Sequence, residues 1–240
     1  MKNTPISTNT PSPSGRGLRG GAFVIIVAGG SGSRMNSAVP KQFIELQGKP
    51  ILMHTIEKFK VAIPEINIVL VLSSNYSEQW KVLCDKHHFT IPYQITNGGE
   101  TRFHSVKNGL ALVPENCVVG VHDAARPLVS IQTILKAFET ASEKGNASPA
   151  IPLTESIRII ENDTNKAVDR SNYLIVQTPQ CFRSNLLKKA FLQEYQATFT
   201  DDASVVEALG EKINLIEGNR ENIKITTHQD LIIAEALMED

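Results

Sequence analysis

The sequence predicts a three-layer α/β fold with a mainly parallel sheet and a projecting β-arm. Short apolar runs recur along the chain, and such runs are typical of strands that are buried on both faces. Segments with helical spacing of apolar residues lie between these runs, and this alternation predicts a parallel sheet covered by helices. With 240 residues, of which 41% are hydrophobic and 20% charged, the chain is long and apolar enough for one such domain.

Three apolar runs mark the strongest strands. The first is A-F-V-I-I-V-A at 22–28, and the same pattern recurs at 66–72 and 117–121. Weaker runs predict five further strands, at 91–96, 147–153, 173–177, 213–216 and 223–226.

Helices are predicted between these strands from the spacing of apolar residues. One begins after Pro50, and a second begins at a capping box formed by Asn75 and Glu78. The apolar positions of the next four begin at Phe103, Ile131, Leu186 and Val205, and the last helix starts at Thr226 or Thr227.

One stretch interrupts the alternation of strands and helices. Residues 154–172 alternate polar and apolar positions around the turn signal Glu161-Asn162-Asp163, which indicates an antiparallel hairpin. This hairpin is too polar for a core. We therefore expect a β-arm at 152–172 that projects from a single domain at 22–240.

The N-terminal segment differs from the rest in composition. Residues 1–21 are rich in Ser, Thr, Pro and Gly and have no apolar stretch of the kind found in signal peptides. We expect a flexible tail on a cytoplasmic protein.

The charge balance limits the partners. Twenty-four Lys and Arg residues against 25 Asp and Glu give a net charge of −1, whereas a non-specific binder of nucleic acid or of membrane surfaces normally carries a large basic excess. The apolar runs are also far shorter than the roughly 20 residues of a membrane span. We expect no nucleic acid and no membrane as partner, and an anionic ligand would need cations gathered at one site.

The cysteines predict no disulfide framework. Cys84, Cys117 and Cys181 are odd in number and far apart. Cys84 with His87 and His88 lacks the second ligand cluster of a zinc site, so we do not interpret it as one.

The first predicted strand leads into a glycine-rich turn, A-G-G-S-G-S-R-M at 28–35. Small residues let backbone N–H groups approach an anion closely, and Arg34 and Lys41 add positive charge just beyond. The turn lacks the third glycine of the dinucleotide fingerprint and the G-K-[ST] of a Walker loop. It predicts phosphate binding of another kind.

Two other segments carry charged residues where a ligand could bind. Asp123 and Arg126 follow a buried strand, at the sheet edge where open α/β folds bind ligands, although an Asp–Arg pair that only braces the turn would look the same. Lys224 lies in the apolar run 223–226 and needs an anionic partner or an exit to solvent. Thr200 either caps a helix or binds substrate.

Six ordered motifs resemble one family. G-G-S-G-S-R-M-x4-P-K-Q-F is similar to the nucleotide-binding signature of cytidylyltransferases. The motifs that follow are V-H-D-A-A-R-P at 121–127, V-D-R-S at 168–171, Q-T-P-Q at 177–180, T-D-D-A-S at 200–204 and E-N-I-K-I-T at 221–226. Together they resemble the 2-C-methyl-D-erythritol 4-phosphate cytidylyltransferase family, from residue 22 to the end of the chain.

The resemblance implies a Rossmann-like nucleotidyltransferase fold of the GT-A-like type. It implies transfer of CMP from CTP to 2-C-methyl-D-erythritol 4-phosphate in non-mevalonate isoprenoid synthesis, with magnesium as cofactor and a homodimer formed through the β-arm. Three alternatives stay open: a ribitol 5-phosphate cytidylyltransferase, a transferase that uses another nucleotide, and a non-catalytic nucleotide-binding protein.

The resemblance also implies roles for individual residues. The nucleotide would be bound by Ala28, Gly29, Gly30, Gly32, Gly98, Ser105, Asp123 and Ala124. The acceptor would be bound by Arg126, Ser156, Arg170, Thr200 and Lys224. Arg34, Lys41, Arg170 and Lys224 would act in catalysis by placing or stabilising phosphate groups.

Two of the implied positions depart from the family pattern. Ser156 stands where the family usually has Thr, so the hydroxyl is kept. Glu221 stands where the family usually has Asp. We expect Asp123 to be a magnesium ligand. Glu221, whose side chain is longer than the usual Asp, is expected to be a second ligand.

Overall fold

The computed structural model describes residues 20–28 and 40–238. Nearly all of the predicted tail lies outside these ranges. The strands are β1 (Ala22–Ala28), β2 (Glu45–Leu46), β3 (Lys49–Pro50), β4 (Asn67–Leu72), β5 (Gln94–Asn97), β6 (Val118–Asp123), β7 (Asn146–Pro152), β8 (Arg158–Glu161), β9 (Thr164–Ala167), β10 (Leu174–Val176), β11 (Gln180–Arg183) and β12 (Leu215–Glu217).

The α-helices are α1 (Ile51–Ala62), α2 (Ser77–Lys86), α3 (Arg102–Leu110), α4 (Ile131–Lys144), α5 (Ser184–Ala190), α6 (Asp202–Glu207) and α7 (His228–Ala236). Among the described residues, no helix has the length and apolar character that crossing a membrane requires.

Eight strands form the main sheet. Its order is β10-β7-β11-β6-β1-β4-β5, and β12 pairs with β7. β1, β4, β5 and β6 are parallel, as the apolar runs predicted. β11 is antiparallel to both of its neighbours, β6 and β7. The mainly parallel α/β sheet is confirmed.

Two apolar layers cover the sheet, because side chains alternate between its faces. On one face, Val24 and Ile26 of β1 pack in a cluster that includes α1 and α4 residues such as Phe59 and Phe138. On the other face, Ile25 packs with residues of α3, α5 and α6. The sheet is thus the middle layer of three.

The β-arm segment contains the hairpin that the turn signal predicted. β8 and β9 pair in antiparallel fashion, and all residues of both strands are exposed. Asn162 and Asp163 form the turn with φ of 46° and 62°. This left-handed backbone is the one that a tight two-residue hairpin turn requires, and Asn and Asp tolerate it.

Two local predictions are wrong, and three strands, β2, β3 and β11, were not predicted. Residues 223–226 form no strand, although the N–H of Ile225 donates to the carbonyl of Ala125 at 2.9 Å. Asn75 caps no helix: it lies in a short 3₁₀ helix, Ser74–Tyr76, and α2 follows without a side-chain cap. β11 was not predicted, because its four residues include Gln180 and Arg183 and show no apolar run.

Candidate active site

A cleft of about 420 Å³ opens at the carboxyl ends of β1 and β6. β4 lies on one side of β1 and β6 on the other, so the chain changes direction across the sheet at this point. Open α/β sheets bind ligands at such a switch point, because the loops that leave the two strands diverge there. Ala28, Asp123 and Ala124 line the cleft together with Lys41 and Lys224.

Asp123 is a carboxylate of the cleft that three cations face. Its side chain is 12% exposed. The Nζ of Lys224 lies 2.9 Å from Oδ2, the Nε of Arg126 lies 3.3 Å from the same oxygen, and the Nε of Arg102 lies 3.7 Å from Oδ1. Lys224 therefore has an anionic partner, as we expected for a lysine within an apolar run.

The ionisation of Asp123 is decided by opposing effects. Burial by itself raises the pKa of its carboxyl, but the positive charges of Arg102, Lys224 and Arg126 outweigh burial and hold the pKa well below its usual range. An ionised carboxylate with three cations around it thus lies at the cleft, and two of these cations, Arg102 and Lys224, line it.

His122 lies next to Asp123 and is fully buried. Its two ring nitrogens lie 3.1 Å from the carbonyl oxygen of Arg126 and 3.0 Å from Oγ1 of Thr178. Burial lowers its pKa to about 4. It is a neutral, hydrogen-bonded core residue.

The turn before α3 forms another wall of the cleft. Ser105 is buried, and its Oγ accepts a hydrogen bond from the N–H of Gly99 at 3.0 Å. Thr101 caps the helix by accepting from the N–H of His104. Gly98 donates its N–H to the carbonyl of Leu72 at 3.1 Å, which ties this turn to the end of β4.

Lys41 begins a short 3₁₀ helix, Lys41–Phe43, and lines the cleft. The next residue, Gln42, is buried and donates from Nε2 to the carbonyl of Ala28 at 2.9 Å. This hydrogen bond holds the Lys41 segment against the end of β1. The structure therefore brings Lys41 and Lys224 to one cleft from distant parts of the sequence.

Several predicted residues lie outside the described ranges: Gly29, Gly30, Gly32 and Arg34. Their predicted roles at the nucleotide phosphates stay predictions.

Other predicted residues do not line the cleft. Arg126 donates from Nη1 to the carbonyl of Asn222 at 2.7 Å, in addition to facing Asp123, an arrangement that braces the turn. Thr200 is exposed, and the helix cap belongs to Asp201 instead. The capping interpretation of Thr200 is therefore wrong, while its substrate role stays a prediction. Glu221 is exposed and accepts from Asn219.

Ser156 and Arg170 of the β-arm are exposed, and Arg170 hydrogen-bonds the carbonyl of Thr154. Neither residue lines the cleft of this chain.

Sequence reasoning did not select Arg102. This residue lines the cleft and binds Asp202, which lies one hundred positions away. A residue inside a helical pattern gives no signal of such a partner. The one available sign was its place directly after the glycine-containing turn at 98–101.

The donor set allows only sparse metal ligation by the protein. Among residues 20–28 and 40–238, no group of three or more His, Cys, Asp or Glu side chains is placed to hold a metal ion. Asp123 offers a hard carboxylate oxygen to the cleft, which Glu100 also lines. So sparse a donor set fits a magnesium ion that keeps water and phosphate oxygens as its other ligands.

Comparison with known proteins gives the same family as the six motifs. Residues 22–240 match the model of the family IspD, 2-C-methyl-D-erythritol 4-phosphate cytidylyltransferase. The chain belongs to this family.

Two relatives have the name of this family, and a solved structure of a related synthase has a similar fold. A 2-C-methyl-D-erythritol 4-phosphate cytidylyltransferase of Bacteroides thetaiotaomicron is 50% identical over 215 residues, covering 90% of this chain and 98% of that protein. One from Phocaeicola vulgatus is 51% identical with the same coverage. The crystal structure of 4-diphosphocytidyl-2C-methyl-D-erythritol synthase from Anaerococcus prevotii has a TM-score of 0.77 at 27% identity, covering 92% of this chain and 96% of that one. The family predicted from the six motifs is confirmed.

Proposed function

We propose that this member of the IspD family transfers CMP from CTP to 2-C-methyl-D-erythritol 4-phosphate and releases pyrophosphate. The observation that carries the proposal is the match of the family model across 22–240. The site agrees with it, since a cleft at the switch point of the sheet brings together Lys41, Lys224 and Arg102, of which Lys224 and Arg102 face the carboxylate of Asp123.

The reaction needs no strong general base. A phosphate oxygen of the acceptor attacks the α-phosphorus of CTP in line and forms the new P–O bond. The bond from the α-phosphorus to the oxygen that bridges it to the β-phosphorus breaks, and that oxygen leaves with pyrophosphate. The acceptor phosphate is already ionised near neutral pH. Catalysis then depends on positioning and on neutralising the charge of the transition state.

Four residues have a proposed task in this scheme. Lys41, with Arg34, would stabilise the negative charge that spreads over the α-phosphate oxygens. Lys224 would leave Asp123 for the acceptor phosphate, a movement available to it because its side chain is 40% exposed. The hydroxyl of Ser105 still has a proton to donate, because its oxygen accepts from Gly99. It could therefore hydrogen-bond an acceptor atom of cytosine.

Magnesium is the proposed cofactor, with Asp123 as its protein ligand. When bound, the ion would neutralise charge on the triphosphate. The residues around Asp123 keep this carboxylate ionised and hence able to act as a ligand. Glu221 is the second proposed ligand, although its side chain lies outside the described cleft.

We propose a homodimer formed through the β-arm. β10 is a three-residue strand whose Leu174, Ile175 and Val176 are each more than 40% exposed, and Ile160 at the hairpin is 79% exposed. Exposed large apolar side chains of this kind are typical of an interaction surface. Because Ser156 and Arg170 do not line the cleft of their own chain, they would act on acceptor bound in the partner subunit.

Complementation tests this arrangement. Arg170→Ala and Lys41→Ala chains would each be nearly inactive alone. If Arg170 acts across the dimer, each mixed dimer has one site that carries both changes and one intact site, so random mixing should restore about a quarter of the parent activity. If Arg170 acts in its own chain, mixing restores nothing and the exchange of arms is refuted. Sedimentation velocity checks the dimer itself.

The three free cysteines, Cys84, Cys117 and Cys181, agree with the reducing cytoplasm as the proposed compartment.

Pyrophosphate release tests the activity. The protein is incubated with CTP, magnesium and either 2-C-methyl-D-erythritol 4-phosphate or ribitol 5-phosphate, and a panel of other nucleotides replaces CTP in parallel. We expect the fastest release with CTP and the erythritol acceptor. Faster release with ribitol 5-phosphate would overturn the acceptor, and CTP binding without release would indicate a non-catalytic protein.

A further inference from the structure

Arg102 and Asp202 form a two-pronged ion pair beside the cleft. The Nη1 and Nη2 atoms of Arg102 donate to Oδ1 and Oδ2 of Asp202 at 2.9 and 2.6 Å. The Nε of the same guanidinium lies 3.7 Å from Oδ1 of Asp123. One planar guanidinium group therefore faces two carboxylates, one at the end of β6 and one at the start of α6. The single ammonium of lysine does not reproduce this geometry.

Asp202, the partner of Arg102, is a carboxylate without contact to solvent. The side chain of Asp202 is 0% exposed. Burial raises the pKa of this carboxyl, and the charge of Arg102 opposes that effect. An ionised carboxylate at such a depth requires a paired cation, so Arg102 is the group that makes this position of Asp202 possible.

Asp202 is the first residue of α6, and Gln180 of β11 also holds the start of this helix. The Oε1 of Gln180 accepts from the N–H groups of Asp202 and Ala203, both at 2.9 Å. The Nε2 of Gln180 donates to Oδ2 of Asp201 at 2.7 Å. The beginning of α6 is therefore clamped between α3 and β11.

Aromatic packing connects the preceding loop to the same helix, α3. Phe103 stacks on Phe191 at 4.6 Å and on Phe199 at 5.7 Å between ring centroids. Thr200, the predicted acceptor-binding residue, comes directly after Phe199 and two positions before Asp202. Its backbone thus lies between two contacts to α3, while its side chain stays exposed.

We propose that Arg102 is a positioning residue that, through Asp202, sets Thr200 at its working distance from the nucleotide cleft. The inference rests on the proposed function. Breaking the pair would shift the start of α6 relative to the cleft, and a displacement of about 1 Å can cost a hundredfold when reacting groups must be aligned. The acceptor would suffer most, because Ser105 and Gly99 hold the nucleotide side of α3 independently.

Asp202→Asn tests the proposal without altering any residue that lines the cleft. The measurements are the melting temperature, the Kd for CTP by calorimetry without acceptor, and KM for the acceptor and kcat by pyrophosphate release. We expect a folded protein whose Kd for CTP stays within about threefold while KM for the acceptor rises about tenfold or more.

Arg102→Lys provides a second variant in case Asp202→Asn does not fold. It keeps the positive charge in the cleft but cannot face both carboxylates, so the same split between the two substrates is expected. Arg183→Lys is the matched control, because Arg183 is exposed and binds the carbonyls of Ser142 and Glu143. It should leave all four quantities unchanged.

Equal changes in Kd for CTP and KM for the acceptor would overturn the proposal and leave a purely structural brace. Unchanged kinetics in folded variants would overturn it as well. Failure of the proposed function has a different signature, since the parent protein itself would then release no pyrophosphate.

Discussion

Asp123→Asn separates the electrostatic role of this residue from any role in the reaction, because stability can be measured without substrate. The change leaves Lys224, Arg126 and Arg102 facing a neutral amide at 2.9, 3.3 and 3.7 Å. Removing one partner of a buried ion pair costs about 3–5 kcal/mol. Asn keeps one oxygen acceptor, Lys224 can turn towards water, and Arg102 retains Asp202. We therefore expect a loss of about 2–3 kcal/mol at pH 7.

The pH dependence has a definite sign. The folded-state pKa of Asp123 is depressed, so its contribution to stability is fully present above the unfolded-state pKa of about 3.9 and is lost as the pH falls through the lower folded-state value. The difference between parent and variant should be constant from pH 7 to about pH 5 and should shrink below about pH 4.

Urea unfolding at a series of pH values measures this difference. Asp163→Asn is the control, because Asp163 is exposed at the hairpin turn, where its positive φ suits Asn. It should change stability by less than about 0.5 kcal/mol. No difference between parent and Asp123→Asn at pH 7, or a difference that grows in acid, would refute the reasoning.

Three further outcomes are expected. Lys41→Ala should melt like the parent but lose about a hundredfold in turnover; turnover like that of the parent would contradict its role. The imidazole of His122 should stay neutral between pH 5 and 8 in NMR titration, since burial lowers its pKa to about 4; protonation near pH 6.5 would contradict this. Gly109→Ala should lower the melting temperature, because the new Cβ would lie 2.7 Å from Cγ2 of the buried Ile25, and such overpacking costs about 1–3 kcal/mol, more than the helix propensity that Ala gains.

Sequence patterns predicted the buried parallel strands because burial on both faces leaves an unmistakable apolar run, as at 22–28. The patterns wrongly predicted a strand at 223–226, where a backbone hydrogen bond to Ala125 takes the place of strand pairing. Ile225 is buried and its N–H donates this bond to the carbonyl of Ala125, but residues 223–226 form no strand. β11 was missed because it begins with Gln180. This polar residue breaks the apolar pattern of a buried strand, although it is buried and accepts a hydrogen bond from the start of α6.

The residues of the candidate site also differ in how far the sequence predicted them. Asp123 was predictable from its place at the end of a buried strand. Its partner Lys224 was predictable as a cation in need of an anion, but not as the partner of this carboxylate. Arg102 could not be selected, since its meaning depends on Asp202, and only tertiary packing brings the two together.

The position of β11 has a consequence for how the protein is made. Synthesis delivers β6, which ends at Asp123, and β7, which ends at Pro152, before the strand that lies between them, Gln180–Arg183. Until that segment leaves the ribosome, both earlier strands present unpaired edges, which are prone to pairing with other chains. Completion of the sheet therefore waits for the last quarter of the chain, and a ribosome that stalls between β7 and β11 would hold an aggregation-prone intermediate.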